Sequence, residues 1–314
     1  MVSQLSRSKA RKLLTSLCSE AIIEQIQERT NPHSSEMDMR ISYLSSLNIT
    51  LGNAVEAITA RKIPEELVNN GHVLSLFEQD IDEIIKDEKR QSILNVRRFI
   101  LENKTTLAEE DLGGVSELFS GHRAIWKDDE VKLVHDPARR DAGKIYTPYD
   151  VTEYMCSEIV KKILGRCESL EDLMRFKVLD PAVGSGAFCS QLIRILWKKA
   201  ARKWKLKDER GFRFDVCSKV IYSADIDSEA LKLSKVVLWI SAGCPEAGID
   251  LNLANCDSLG VGSCENTKLW SSHTGFDVKS GFDVVFGNPP YVRVKPETLQ
   301  GFTMASTRNL YCAF

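Results

Sequence analysis

At 314 residues, with 43% hydrophobic and 27% charged content, the chain carries enough apolar sequence for a sizeable core. It is long enough for two domains, because single cores rarely grow past about 250–300 residues. A formal net charge of −2 and a pI of about 6.3 argue against a globally basic nucleic-acid-binding domain, so any such contact has to be local. Nine scattered cysteines without a C-x-x-C pair argue against a disulfide framework or a zinc ribbon and fit a cytoplasmic protein. No N-terminal signal segment and no membrane-length apolar run is present.

From Ser3 to Asn103 the apolar residues recur at helical spacing, as in Leu13, Leu14, Leu17 and Ala21 and again in Ile81, Ile84 and Ile85. Asn31-Pro-His-Ser-Ser35 breaks the first helix, and Ile63-Pro64 with Asn69-Asn-Gly71 breaks later ones. Asp111 to Phe119 reads as a loop feeding a short helix, and the charged stretch Lys127 to Arg140 as surface, with Glu130-Val-Lys132 a surface strand. These signals predict a helical N-terminal region over 1–110 and a second domain over 111–314.

After Lys144 short apolar runs alternate with helical stretches, the pattern of β-α-β units and a parallel sheet. Strands are expected at about 176–180, 218–225, 249–253 and 282–287, and helices at about 149–164, 186–204 and 228–241. The strand order expected is 3-2-1-4, an incomplete Rossmann-like α/β sheet with ligands at the carboxyl ends of its strands.

The first strand runs into Asp180-Pro-Ala182-Val-Gly184-Ser-Gly186-Ala-Phe188. Two glycines between a strand and a helix let the backbone approach a ligand, although many such turns need glycine for geometry alone. The turn lacks the Gly-Lys-Ser/Thr of a triphosphate loop and the third glycine of a dinucleotide fingerprint. Asp180 could hold a ligand ammonium. Asp225, closing the next strand, could accept from ribose hydroxyls, with Asp227 and Ser228 nearer a helix cap. Asp257 follows the third strand, where a carboxylate could meet an adenine amino group.

The fourth strand delivers Asn288-Pro289-Pro290-Tyr291. The lone pair of an exocyclic adenine amine is delocalised into the ring, so the amine is a poor nucleophile. Two acceptors, the Asn288 side-chain oxygen and the Pro289 carbonyl, can draw its two N–H bonds out of plane and release the lone pair for in-line attack on a methyl sulfonium. The prolines stiffen the turn, and Tyr291 offers a face to an extruded base. No metal is required.

Taken together, these turns resemble the adenine-N6 DNA methyltransferases of the gamma order, in which the cofactor motif precedes Asn-Pro-Pro-Tyr, and among them the large type IIG restriction-modification methylases. Gly143-Lys-Ile-Tyr146-Thr147-Pro148 is similar to the segment that lines the cofactor ahead of the first strand, and Asp111 to Glu117 and Asn309 to Phe314 resemble flanking segments. The resemblance implies S-adenosyl-L-methionine as cofactor. Tyr146, Thr147 and Pro148 would line its methionine end, and Asp180, Ala182, Gly184 and Gly186 its amino-acid moiety. Asp225 would take the ribose and Asp257 the adenine, with Phe286 or a neighbour against the cofactor rings. Asn288, Pro289, Pro290 and Tyr291 would handle the target base. The partner implied is double-stranded DNA with a flipped adenine.

Such enzymes continue with further strands and a target-recognition domain. The expectation is therefore an N-terminal portion, ending at Phe314 as a truncated product or as half of a split enzyme completed by a second polypeptide. The alternatives are a methyltransferase for a protein glutamine amide or an RNA base, and an inactive cofactor-binding fragment. The basic run Lys198 to Lys207 reads as a solvated helix face, whereas Arg293 and Lys295 are candidates for phosphate contact. Trp197 and Trp204, at helical spacing, read as packing residues.

Overall fold

The computed structural model describes residues 5–59, 90–107, 111–112, 115, 119, 122–136, 147, 149–243, 245, 249–259, 276 and 281–291. The chain divides into two units, Met1–Pro137 and Ala138–Phe314. No helix among the described residues is long and apolar enough to cross a membrane.

In the first unit, helix α1 (Arg7–Arg29) starts at Ser6, whose hydroxyl accepts from the Lys9 N–H, and buries Ala10, Leu14, Cys18, Ala21, Ile22 and Ile26 along one face. Steps of three and four residues keep these on one side of the helix. Thr30 ends it, and the Asn31–Ser35 break leads to α2 (Glu36–Thr59), opened by reciprocal Ser35 and Asp38 hydrogen bonds. Helix α3 (Gln91–Glu102) adds Ile93, Val96 and Ile100 to the core. The breaks expected at residues 63–71 and the apolar positions at 81–85 lie outside the described residues.

Strands β1 (His122–Lys127) and β2 (Glu130–His135) form an antiparallel hairpin. Asp128 and Asp129 take φ of +56° and +58°, the left-handed pair that a two-residue hairpin turn needs. The stretch read as charged surface is therefore half hairpin, with Val131 buried against the helices. Asp111 is fully buried, its carboxylate accepting from Arg7 Nε at 2.9 Å and Arg11 Nη2 at 2.5 Å. Asp111, Leu112, Val115 and Phe119, the described positions of the segment expected to begin as a loop, are helical.

The second unit begins, as described, with α4 (Tyr149–Arg166) and the short α5 (Leu170–Arg175), which is capped by a Ser169–Asp172 capping box. Then follow β3 (Val178–Asp180), α6 (Ala187–Trp204), α7 (Glu209–Asp215), β4 (Ile221–Asp225), α8 (Ser228–Ser241), β5 (Asn252–Asn255) and β6 (Val284–Val285). The described strands make a parallel sheet in the order β5-β4-β3-β6, the order expected. Side chains alternate between its faces. Val178 and Ile221 join the core under α4, α6 and α8, while Leu179 and Tyr222 pack on the other side with Ala254, Phe276 and Phe282.

All four strands differ from their expected spans: β3 starts two residues later, β5 is shifted to Asn252–Asn255, and β4 and β6 are shorter than their apolar runs. Val216–Val220 winds as a π-helical turn before β4, where Asn252 Nδ2 donates to the Ser218 carbonyl. On β6, ladder bonds flank the paired residues, with Asp283 N–H to the Lys177 carbonyl and Phe286 N–H to the Leu179 carbonyl. The Asp283 carboxylate takes the Lys177 N–H at 2.8 Å in place of a further strand bond.

The basic end of α6 is partly structural. Lys203 Nζ donates to the Leu164 and Cys167 carbonyls at 2.6 Å, closing the C-terminus of α4, and Lys199 Nζ donates to the Ser157 carbonyl. Trp197 packs its ring on Phe212, with centroids 5.4 Å apart. Trp204 donates its indole N–H to the Glu168 carbonyl.

Candidate functional site

Because β3 and β6 are parallel neighbours, the turns that leave them meet at one end of the sheet. Asp180 closes β3 at 1% exposure and accepts the Ala182 N–H on Oδ1 at 3.2 Å. Gly184 and Gly186 then take φ of +55° and +83°, left-handed conformations that a side chain disfavours. Gly186 is also tightly placed, since a Cβ there would lie 3.3 Å from Ser234 Cα on α8, closer than ordinary van der Waals contact. At Gly184 a Cβ would meet nothing within 4 Å, so this stretch of backbone borders open space.

The turn is held from three sides. The Gly184 N–H donates to Asp225 Oδ2 at 2.8 Å, and the Val183 N–H to the Ala224 carbonyl at 3.0 Å. Ser234 donates its hydroxyl to the Gly184 carbonyl at 2.6 Å, and Ser258 donates to the Pro181 carbonyl at 2.6 Å. Asp225 also takes the Asp227 N–H at 2.9 Å, which makes it the hub joining the first turn to the end of β4. Each carboxylate oxygen can accept more than one hydrogen bond, so these contacts are compatible with ligand hydroxyls at the same group. The Asp227 carbonyl takes the Leu231 N–H, the first bond of α8.

Asp257 is exposed and its Oδ1 accepts the Leu259 N–H, while the Ser258 bond keeps its loop beside the glycine turn. Phe286 is 7% exposed and sets its ring edge-on to Phe188 at 6.0 Å, inside the core under the sheet. Ile226, between Asp225 and Asp227, is an apolar side chain left 69% exposed at this end. Two thiols lie near Asp180. Burial, and after it the charge of Asp180, pushes Cys189 well up and Cys156 to about 12, so both act as neutral packing groups.

At the end of β6, Gly287 has φ +151°, and a Cβ on it would fall 2.6 Å from Asp180 Oδ1. The strand end therefore rests directly on the buried acid. Asn288 follows, half-buried, and its Nδ2 donates to Thr147 Oγ1 at 2.7 Å. Pro289 and Pro290 are half-buried, and Tyr291 is 52% exposed. Tyr146, Pro148, Arg293 and Lys295 lie outside the described residues.

The structure thus brings Thr147, Asp180, Ala182, Gly184, Gly186, Asp225 and Asn288 to one end of the sheet. Reading the sequence missed Gly287, Ser234, Ser258 and Ile226. Gly287 sits inside the apolar strand motif and carries a signal only once Asp180 is known to lie behind it. The two serines, on a helix and in a loop, carry no local signal.

Residues 219–314 match the family model described as Eco57I restriction-modification methylase. The likeness is to a restriction-modification methylase and lies in the C-terminal part of the chain. The matched stretch of this methylase family includes Asp225, Asp257 and the Asn288-Pro289-Pro290-Tyr291 turn, and the glycine turn lies ahead of it. No curated protein matches the chain significantly.

Among solved structures, a cryo-EM structure of the DrdV–DNA complex aligns with a TM-score of 0.51 and 13% identity over 98% of this chain and 32% of that one. A modification subunit of a putative type I restriction enzyme from Vibrio vulnificus YJ016 aligns at 0.48 and 15%, over 95% of this chain and 65% of that one. The type IIG restriction endonuclease BpuSI aligns at 0.47 and 15%, over 91% and 28%. The first of these supports the fold. The chain spans about a third of that relative's length.

Proposed function

We propose that this chain carries the cofactor-binding and catalytic turns of a DNA methyltransferase that moves a methyl group from S-adenosyl-L-methionine to the N6 amine of adenine, within a restriction-modification or defence system. The observation that carries this reading is the seating of the β6 end on Asp180, which puts Asn288-Pro289-Pro290-Tyr291 beside the glycine turn. The DNA in the DrdV structure, together with the family match over the catalytic turn, favours DNA as the substrate.

The residues present fit S-adenosyl-L-methionine. The backbone at Gly184 borders open space, Asp225 stands at the end of β4, and Asp257 lies on the adjoining loop. In this reading Asp180, Ala182, Gly184 and Gly186 hold the amino-acid moiety, and Tyr146, Thr147 and Pro148 line the methionine end. Asp225 takes the ribose hydroxyls and Asp257 the adenine amine. Ile226 covers a ring face, and Phe286 supports this wall from the core through Phe188.

When bound, the cofactor supplies an electrophilic methyl on a sulfonium, whose C–S bond breaks as the new N–C bond forms, leaving a neutral thioether. Asn288 Oδ1 and the Pro289 carbonyl accept the two N–H bonds of the target amine and draw its nitrogen toward tetrahedral geometry. They also stabilise the positive charge that grows on that nitrogen, which then releases one proton to water. Tyr291 stacks the extruded base, a contact worth about 1–3 kcal/mol in comparable sites. Pro289 and Pro290 keep the acceptors in place before the substrate arrives.

The test uses the full-length protein and genomic DNA lacking adenine methylation, with nucleoside mass spectrometry for N6-methyladenine and calorimetry for cofactor binding. Asn288→Ala should leave S-adenosyl-L-methionine affinity nearly unchanged and lower transfer by about 10²- to 10³-fold, the cost of one lost electrostatic contact to a transition state. Asp180→Ala should weaken cofactor binding first. Methyl appearing on another base or on protein, or both properties failing together in Asn288→Ala, would overturn the assignment.

A further inference from the structure

We infer that Thr147 is a positioning residue for Asn288, fixing the rotation of the catalytic carboxamide from the cofactor side of the site. The proposal rests on the adenine-methylating reading given above. Asn288 Nδ2 donates to Thr147 Oγ1 at 2.7 Å, a bond between residues 141 positions apart. A carboxamide turned by about 180° exchanges its acceptor for a donor, and only the acceptor edge can draw on an amine proton. The Thr147 bond holds the NH2 edge and so sets which edge of the carboxamide is the acceptor.

The placement of Thr147 gives this contact a second consequence. It lies two residues ahead of α4, in the stretch assigned to the methionine end of the cofactor, and α4 packs against α6, the helix that leaves the glycine turn. A side chain shared in this way orients the amide that meets the base while belonging to the wall that meets the methyl donor. Pre-setting the carboxamide removes a rotation that would otherwise have to be fixed during reaction, so its contribution belongs to turnover rather than to cofactor affinity.

Thr147→Val keeps the branched shape and deletes the acceptor, whereas Thr147→Ser keeps the acceptor and deletes a methyl. In the full-length protein acting on the same DNA, Thr147→Val should lower kcat by about three- to tenfold, the range for one lost hydrogen bond. The dissociation constant for S-adenosyl-L-methionine should rise by a smaller factor than kcat falls, and Thr147→Ser should recover most of kcat. A parallel readout needs no turnover: the side-chain NH2 resonances of Asn288 in protein labelled with 15N-asparagine, identified by their loss in Asn288→Ala. They should move in Thr147→Val and hold in Thr147→Ser. Resonances unmoved by Thr147→Val, or a cofactor affinity that falls in step with kcat, would overturn the positioning role. A wild-type protein that binds cofactor but methylates no adenine would instead sink the functional reading, leaving the resonances to decide the contact.

Discussion

Gly287→Ala is the sharpest test of how the two turns are joined. The added Cβ would lie 2.6 Å from Asp180 Oδ1 and 3.4 Å from its Cγ, and the residue would keep φ at +151°. Holding a non-glycine residue in so sparsely populated a conformation costs about 1–3 kcal/mol. Forcing a methyl into occupied space costs about as much again. Asp180 cannot swing aside cheaply, because it is 1% exposed and engaged by the Ala182 N–H. The sum, about 2–6 kcal/mol, corresponds to a fall in melting temperature of at least about 4 °C for a domain of this size.

The decisive assay is a double-mutant cycle by calorimetric melting, using Gly287→Ala, Asp180→Ala and the pair in the full-length protein. If the contact is real, trimming Asp180 removes the atom the new methyl strikes. The pair should then cost less than the sum of the singles by about 1 kcal/mol or more. Additive effects, or a Gly287→Ala protein that melts within about 1 °C of wild type, would refute the argument that β6 is seated on Asp180.

Two further outcomes concern stability away from the turns. Asp111→Ala strands Arg7 and Arg11 around a fully buried gap, and because these side chains are 27% and 19% exposed the loss should sit at the low end for a broken buried pair, about 3 kcal/mol, readable by urea titration. In the Ser169 capping box, hydrogen bonding from the Ser169 backbone N–H, and then from its hydroxyl, holds the Asp172 carboxyl below its ordinary value. A group depressed on folding adds stability above its unfolded pKa and loses it as pH falls through the folded value. Asp172→Asn should therefore lower the melting temperature in the neutral region while changing it little at acid pH, flattening the acid limb of the profile, and an unchanged acid limb would contradict the cap.

The amino-acid sequence by itself determined what each strand carries to its end. Apolar runs closing in Asp180, Asp225 and Asn288 read as strands with polar ends, because a short apolar run bounded by turn residues fits a buried parallel strand. Helix boundaries were legible for the same local reason, since the Asn31–Ser35 break and the glycines ahead of α6 act within a few residues. Strand lengths were not. The apolar stretch 218–225 splits into a π-helical turn and β4, and the run at 282–287 keeps only Val284–Val285 as paired strand, because pairing depends on a neighbour supplied from elsewhere in the chain.

The hairpin at His122–His135 escaped for another reason. Its central residues are two aspartates in left-handed conformation, where a sequence usually announces such a turn with glycine or asparagine. Tertiary structure alone decided which distant residues share the site. The parallel pairing of β3 with β6 sets Gly287 on Asp180, and the chain ahead of α4 brings Thr147 to Asn288. Local sequence fixes φ, ψ and burial over a few residues, whereas these contacts exist only because strands separated by about a hundred residues close side by side with their carboxyl ends together.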